Sequence, residues 1–268
     1  MLTFETFENR YVFECTLKSE AFLHIGSGQE GPTTDAAVVK RRRNGAADPQ
    51  PVAFIPGSSL RGVLRSTVER LLNAMAPGTA CILYGPAAPM CPAGNKEFRE
   101  RIEQGKEKQW MKSAEWKLCP VHRLFGSTIM ASRLKIGDAE QKGADAGTEV
   151  RDGVGIDRDT GSAKEDIKYD FEVVNPQAEF RFHMELENAE REELALLYVL
   201  IRELERGVEV GGKKSRGLGR IQLSHYDVSY VDRGTLAEFL RSGKLRASES
   251  FKAEMEAAFS GYLGTLRQ

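Results

Sequence analysis

The sequence predicts a mixed α+β fold built on a ferredoxin-like β-α-β-β-α-β core, and three observations carry that expectation. Ala178, Phe180, Phe182, Met184 and Leu186 point one way while Arg181, His183 and Glu185 point the other, the period-two pattern of a half-buried strand. Two stretches, 59–75 and 189–206, carry apolar residues at helical spacing and each follows a strand. The chain order of strand, loop, strand, helix, insertions, strand, helix, strand matches that core, and no repeat at solenoid periods competes with it. With 268 residues, 41% of them hydrophobic, the chain suffices for a single domain, 1–268, carrying large insertions.

Taken in order, Tyr11, Phe13, Cys15 and Leu17 alternate with polar or small neighbours and mark the first strand, Cys15 on its inward side. Ala21 to Ile25 is expected to continue or pair with it. Residues 26–44 read as a long loop or distorted hairpin ending in Lys40-Arg41-Arg42-Arg43, and Val52 to Ile55 as a short strand. Pro56-Gly57 turns the chain, and Ser58 or Ser59 is placed to cap the first helix. Leu60, Val63, Leu64, Leu71, Leu72 and Met75 supply its core stripe, Arg61 and Arg65 share another face, and Pro77-Gly78 ends it. Residues 81–122 form an insertion of loops and a charged helix at roughly 97–116. Residues 135–172, rich in Gly and Asp, read as a projecting hairpin rather than core. After the strong strand at 178–186, Leu194, Leu197, Leu200, Ile201 and Leu204 line the buried side of the second helix. Leu218 to Tyr226 returns as a strand, and two short helices near 234–242 and 248–258 close the chain.

Composition narrows the function. Lys plus Arg number 38 and Asp plus Glu 39, which excludes a generally basic protein, so any nucleic-acid site must be local. No run of about 18 apolar residues is present, so no transmembrane helix and no membrane partner is expected. The opening Met1-Leu2-Thr3-Phe4-Glu5 lacks the cationic and apolar segments of a signal peptide, and a cytoplasmic location is expected. Four cysteines in a chain this long are free thiols or metal ligands rather than a disulfide framework.

Positive charge is instead gathered in places. The amino end of the first helix, at Ser58 and Ser59, is expected to offer unpaired backbone N–H groups to phosphate, with Arg61 and Arg65 extending the site; a solvated surface helix reads equally well. The loop Gly211-Gly212-Lys213-Lys214-Ser215-Arg216-Gly217-Leu218-Gly219-Arg220 lets backbone approach a ligand and surrounds it with cations. Neither P-loop nor dinucleotide-fold spacing is present there. Cys81, Cys91, Cys119 and His122 form C-x9-C-x27-C-x2-H, a donor set for tetrahedral zinc that would order an insertion poor in core residues. Asp35 lies in a Gly- and Thr-rich loop. It is either a turn cap or, within a basic RNA groove, a carboxylate that holds a divalent cation or orients a 2′-hydroxyl. His24, at the strand end before that loop, is a second candidate, more readily structural. Val154 and Ile156 could form an apolar wedge in the hairpin, while Asp157 and Asp159 do not meet the EF-hand pattern.

Leu23-His24-Ile25-Gly26 with Asp35, Phe54-Ile55-Pro56-Gly57-Ser58-Ser59-Leu60-Arg61-Gly62, Leu124-Phe125-Gly126-Ser127, residues 151–158 and Gly212-Lys213-Lys214-Ser215-Arg216-Gly217-Leu218-Gly219 together resemble the Cas7-type RAMP proteins of type III CRISPR effector complexes, the Csm3 and Cmr4 group. The resemblance spans most of the chain. It implies an RRM-like core, copies stacked head to tail along a crRNA beside other complex subunits, and a thumb hairpin at 135–172 that displaces one nucleotide in six of the guide–target duplex. It also implies a structural zinc in the 81–122 insertion, where Cys119-Pro120-Val121-His122 stands in place of a Cys-x-x-Cys ending. The activity implied is that of a metal-dependent endoribonuclease, with Mg or a similar cation, cutting target RNA at the kinks through Asp35 and leaving a 2′,3′-cyclic phosphate. RNA contacts are expected from Ser58, Ser59, Arg61, Arg65, Gly212, Lys213, Lys214, Ser215, Arg216, Gly217, Val154 and Ile156. Two rivals stand beside this: a non-catalytic crRNA scaffold in the same complex, and a standalone endoribonuclease processing crRNA precursor. In the first two cases base pairing rather than the protein reads sequence.

Overall fold

The computed structural model describes residues 4–31, 34–42, 51–89, 91–94, 96, 100, 118–143 and 146–266. It is a mixed α+β fold with a β-sheet core. Along the chain run β1 (Asn9–Ser19), β2 (Lys40–Arg42), β3 (Pro51–Ile55), α1 (Gly57–Met75), α2 (Pro120–Phe125), β4 (Leu134–Ile136), β5 (Ala139–Gln141), β6 (Thr148–Ile156) and β7 (Ala163–Val174). There follow β8 (Glu179–Glu187), α3 (Arg191–Arg206), β9 (Val208–Glu209), β10 (Arg220–Asp232), α4 (Leu236–Ser242), β11 (Arg246–Ala247) and α5 (Phe251–Leu266). The main sheet has the order β11-β10-β1-β8-β5-β3-β2, with β4 also on β8 and β9 on β10, and β6 pairs with β7 in a second, two-stranded sheet.

Side-chain alternation explains the centre of the sheet. In the antiparallel β1–β8 pair, Phe13, Cys15 and Leu17 stand opposite Met184, Phe182 and Phe180, and all six are essentially buried. Cross-strand neighbours of this kind are the unit that stabilises a sheet. Leu60, Leu64, Val68 and Leu72 of α1 and Leu197, Leu200, Ile201 and Leu204 of α3 join the same core, each burial worth about 1.5–3 kcal/mol. The helix α5 packs along α3 and sends Phe251 to within 4.5 Å of the Tyr11 ring and 5.5 Å of Phe13. Cys15 sits in this core, where burial pushes its thiol up to about 12. Among the described residues no helix is long and apolar enough to cross a membrane.

Several elements depart from the sequence reading. The helix α1 starts at Gly57 with Pro56 as its N-cap and no side-chain cap, so neither Ser58 nor Ser59 caps it. Leu71 and Met75 are exposed and Thr67 and Val68 are buried in their stead, because the core stripe runs 60, 64, 68, 72 at strict i, i+4 spacing. Residues 21–25 make only an isolated bridge, Leu23 to Val174. Residues 135–141, read as part of a projecting hairpin, instead fall in β4 and β5 of the main sheet and the turn between them; strands of three residues are too short to display a period. The cationic run contributes β2, paired with β3. The last helix is longer than read, and the charged helix expected at roughly 97–116 lies almost wholly outside the described residues.

A buried ion network joins α2, β4 and α3. Arg133, fully buried, donates from Nη1 to the Asn188 carbonyl at 2.8 Å and lies 3.3 Å from Glu193 Oε2. Arg123 reaches Glu193 at 2.8 Å and also pairs with Glu190 and Glu192. Burial pushes the Glu193 carboxyl upward against the pull of Arg123 and Arg133, so the network survives on mutual pairing. Removing one member of such a set leaves an uncompensated charge inside the protein. Glu193→Ala is therefore expected to destabilise the fold by about 3–5 kcal/mol in urea melts; a change below about 1 kcal/mol, the range of exposed pairs, would show that the network holds nothing.

Candidate nucleic-acid interface and metal centre

The Cys and His residues of the 81–122 segment converge. The ligand atoms of Cys81, Cys91, Cys119 and His122 all lie within 4.8 Å of one another, and all four residues are buried. His122 Nδ1 is 3.3 Å from both Cys91 Sγ and Cys119 Sγ, close to the roughly 3.5 Å edge of a zinc tetrahedron with Zn–S bonds of about 2.3 Å. Cys119 precedes α2 as its N-cap residue and His122 lies in the helix's first turn, which turns the C-x2-H spacing into a chelate. Backbone N–H groups of Ala88 and Cys119 point at the sulfurs of Cys81 and Cys91. The Cys119 and Cys81 side chains hold the Cys91 thiol far below the ordinary thiol range, and bonds with Cys81 and Cys91 drive Cys119 upward. Burial alone would lower His122; its bonds to Cys81 and Cys91 carry it up to about 9. Three thiols and an imidazole converging within 4.8 Å suit a soft cation, and four protein donors leave no open position for water. The set therefore fits a structural rather than a catalytic metal.

Arg65 belongs to this centre more than to solvent. Its Nε donates to Glu69 at 2.8 Å, its Nη2 lies 3.2 Å from His122 Nε2, and its side chain is only 11% exposed. Arg61 donates to the Phe125 carbonyl, with its guanidinium 5.9 Å from the Phe125 ring. Both arginines line a groove of about 480 Å³ together with Phe125, Gly126 and Ser127. Of the N–H groups at the start of α1, those of Gly57 and Ser59 already have partners within the protein. The Asp138 carboxylate, also paired with Arg41 at 2.9 Å, accepts the Gly57 N–H at 2.7 Å, and the Ser59 and Leu60 N–H groups fold back on the Pro56 carbonyl. An internal anion already occupies that helix end.

The other predicted residues meet on β7. The glycine loop packs on the His24 segment: Gly212 N donates to the His24 carbonyl at 2.8 Å, and Gly219 N to the Phe22 carbonyl at 2.8 Å. Gly211 adopts φ +79°, and a Cβ there would lie 2.3 Å from the His24 oxygen, so only glycine fits the approach. This seating holds Lys213 4.7 Å over the Tyr169 ring and 4.2 Å over Phe171, while Arg216 donates to the Tyr169 hydroxyl. The Tyr169 ring lies across Gly153 of β6, where any Cβ would fall within 2.3 Å of it. Lys214, Ser215, Arg216 and Gly217 are exposed. Arg220 is not part of this group, being paired with Glu20 at 2.7 Å.

Asp35 lies on the free edge of the same strand. Its N–H donates to Asp170 Oδ1 at 2.7 Å, and the Asp170 N–H returns a bond to Asp35 Oδ2 at 2.9 Å. Next along the strand, Glu172 N–H donates to the Ala36 carbonyl at 2.9 Å, and the Glu172 carboxylate accepts from Val38 N–H at 3.1 Å, Thr148 and Lys40. Burial would raise Glu172, but the Lys40 and Thr148 bonds outweigh it and hold the carboxyl below its usual range. His24 is structural: its Nδ1 lies 2.7 Å from the Glu172 carbonyl and the ring meets Phe171 edge-on. Val154 and Ile156 are 45% and 59% exposed, on the face of β6 turned away from the aromatic rings. Among the described residues no third histidine, cysteine or carboxylate joins Asp35 and Asp170 in a metal-ligand cluster.

Sequence reasoning missed Asp138, Tyr169, Asp170 and Phe171. The alternation of Tyr169, Phe171 and Val173 in β7 was the available signal, obscured by the Gly- and Asp-rich composition around it. A family model described as the RAMP superfamily matches residues 16–222, a span that holds every residue placed above. No curated protein matches the chain. For the metal centre, the purified protein is expected to carry an equimolar amount of zinc by elemental analysis. Cys119→Ser is expected to lose that zinc and to melt roughly 5–10 °C lower; a metal-free wild type with a chelator-insensitive melting curve would refute the assignment.

Proposed function

Since the chain belongs to the RAMP superfamily, we propose that it is a crRNA-binding backbone subunit of a type III CRISPR interference complex that cleaves bound target RNA at six-nucleotide intervals through Asp35. In this reading residues 1–268 are one Cas7-type domain on a ferredoxin-like, RRM-like core; the order β10-β1-β8-β5, with α1 and α3 each linking a pair of strands, supports it. The insertion at 81–122 carries a structural zinc, and the thumb falls within 135–172. The observation that carries the reading is the convergence on β7: the glycine–cation loop on its aromatic face, Asp35 on its free edge, and β6 with Val154 and Ile156 beside it.

That arrangement has a direct chemical use. Exposed Lys214 and Arg216, with Lys213 over the rings, offer charge to a guide backbone, and Gly212, Ser215 and Gly217 let it come close. Arg61 adds a cation beside the helix start, where Ser58, Ser59 and Arg65 belong to the predicted contact set. A wedge that unstacks a nucleotide frees its ribose to place the 2′-oxygen in line with the phosphorus. Attack by that oxygen forms a 2′,3′-cyclic phosphate; the 5′-oxygen leaves and takes up a proton. The exposed Asp35 carboxylate, with one oxygen fixed by the Asp170 N–H, is placed to orient the attacking hydroxyl or to hold a divalent cation such as Mg with RNA oxygens. Such a cation would supply charge stabilisation to the phosphate.

Two measurements test the reading. Asp35→Ala in the assembled complex is expected to abolish target cutting while guide loading stays at the wild-type level. Metal-dependent cutting by that mutant would contradict the catalytic role, and a monomer that trims repeat RNA would favour the precursor-processing enzyme. The double change Lys213→Ala, Arg216→Ala is expected to lower the slope of log affinity against log salt by about 1.4, the single-strand value for two phosphate contacts; an unchanged slope would remove the loop from the RNA path.

A further inference from the structure

The aspartate that faces Asp35 has an acceptor role of its own. Asp35 and Asp170 exchange hydrogen bonds, each donating its N–H to the other's carboxylate, at 2.7 and 2.9 Å. The two bonds are not equivalent under substitution. The bond into Asp35 Oδ2 comes from the backbone of residue 170 and persists whatever side chain stands there. The bond from Asp35 N–H ends on the Asp170 side chain and disappears when that side chain lacks an acceptor. Two residues on, Glu172 repeats the pattern, taking the Val38 N–H with its carboxylate and giving its own N–H to the Ala36 carbonyl. The segment 35–38 is thus seated on β7 by side-chain acceptors at alternate positions of one strand, in a stretch where the loop makes no regular ladder. Glu172 is further braced by Lys40 and Thr148, whereas Asp170 fixes the residue whose carboxylate does the work.

We propose that Asp170 is a positioning residue for the cleavage reaction: its carboxylate oxygen, acting as a hydrogen-bond acceptor, fixes the backbone of Asp35 against β7 and so keeps the Asp35 carboxylate in register with the hairpin that splays the RNA. This rests on the assignment of Asp35 as the cutting residue. The physical demand is an acceptor at that spot, not a charge. A second negative charge beside Asp35 and near phosphate is in itself unfavourable, so a neutral acceptor of the same shape serves as well. Loss of the acceptor leaves the Asp35 N–H without its partner and frees the loop by an amount small for folding and large for in-line geometry, since misplacement of about 1 Å is costly to a positioned reaction.

The test uses the assembled guide–protein complex with Asp35→Ala, Asp170→Ala and Asp170→Asn side by side. It reads the single-turnover rate of target cutting, the bond cut, and guide affinity. Asp170→Ala is expected to slow cutting at least about tenfold and to spread cuts to neighbouring bonds, with guide affinity unchanged. Asp170→Asn, which keeps an acceptor oxygen for the Asp35 N–H, is expected to cut within about threefold of wild type and at the same bond. With Asp35→Ala inactive, a wild-type rate for Asp170→Ala overturns the inference, and so does an Asp170→Asn as slow as Asp170→Ala, because the charge and not the acceptor would then matter. An Asp35→Ala complex that still cuts overturns the assignment of Asp35 and this inference with it.

Discussion

The structure around the candidate interface depends on the two edges and one face of β7. One edge pairs with β6 in the hairpin; on the other, the Asp170 and Glu172 carboxylates accept the backbone N–H groups of Asp35 and Val38 and so seat the 35–38 segment. The face carrying Tyr169 and Phe171 receives Lys213 and Arg216. Residues far apart in sequence meet because one strand offers three different surfaces at once. A small apolar cluster of Phe171, Val173 and Leu218, with Phe22 and Ala36 packed on it, binds the glycine loop, the first loop and the hairpin base into one unit. In the function proposed above, a hairpin anchored by its own strand to both the cations and the carboxylate gives RNA distortion and chemistry a common frame.

The metal centre sits elsewhere and does a different job. It gathers Cys81 and Cys91 against α2, and α2 in turn is clamped to α3 by Arg123 and its glutamates. That chain of contacts runs from the insertion into the core through buried charge and through the buried side chains of Val121, Leu124 and Phe125. Arg65 and Glu69 of α1 close the other side of the centre through His122. The metal centre, α1, α2 and the start of α3 therefore form one braced corner, and the groove beside Arg61 is cut into it.

How much of this could be read from the chain follows from the range of the interactions. The alternation in β1 and β8 and the periodicity of α3 are local signals, and they placed the sheet centre and its main helix. The four metal ligands were legible despite a gap of 27 residues because cysteine and histidine are chemically distinctive. Strands β4 and β5 were not, since three residues display no period and their pairing with β8 is set by tertiary contact. Arg65 illustrates the same limit: spacing put it on a polar face of α1, but only the fold shows Glu69 and His122 occupying it. Asp138 at the helix start and Asp170 at the Asp35 loop act across 81 and 135 positions respectively, and no window along the chain contains both partners.

The central claim is that RNA lies along the cation-bearing face of β7. Photocrosslinking of the guide-loaded complex, with the attached peptides mapped by mass spectrometry, tests it most directly. The account predicts adducts on the 212–217 loop and on Tyr169 beneath it. Adducts confined to the groove on the main sheet lined by Glu14, Arg41, Arg181 and His183, with none on β7 or the glycine loop, would contradict it.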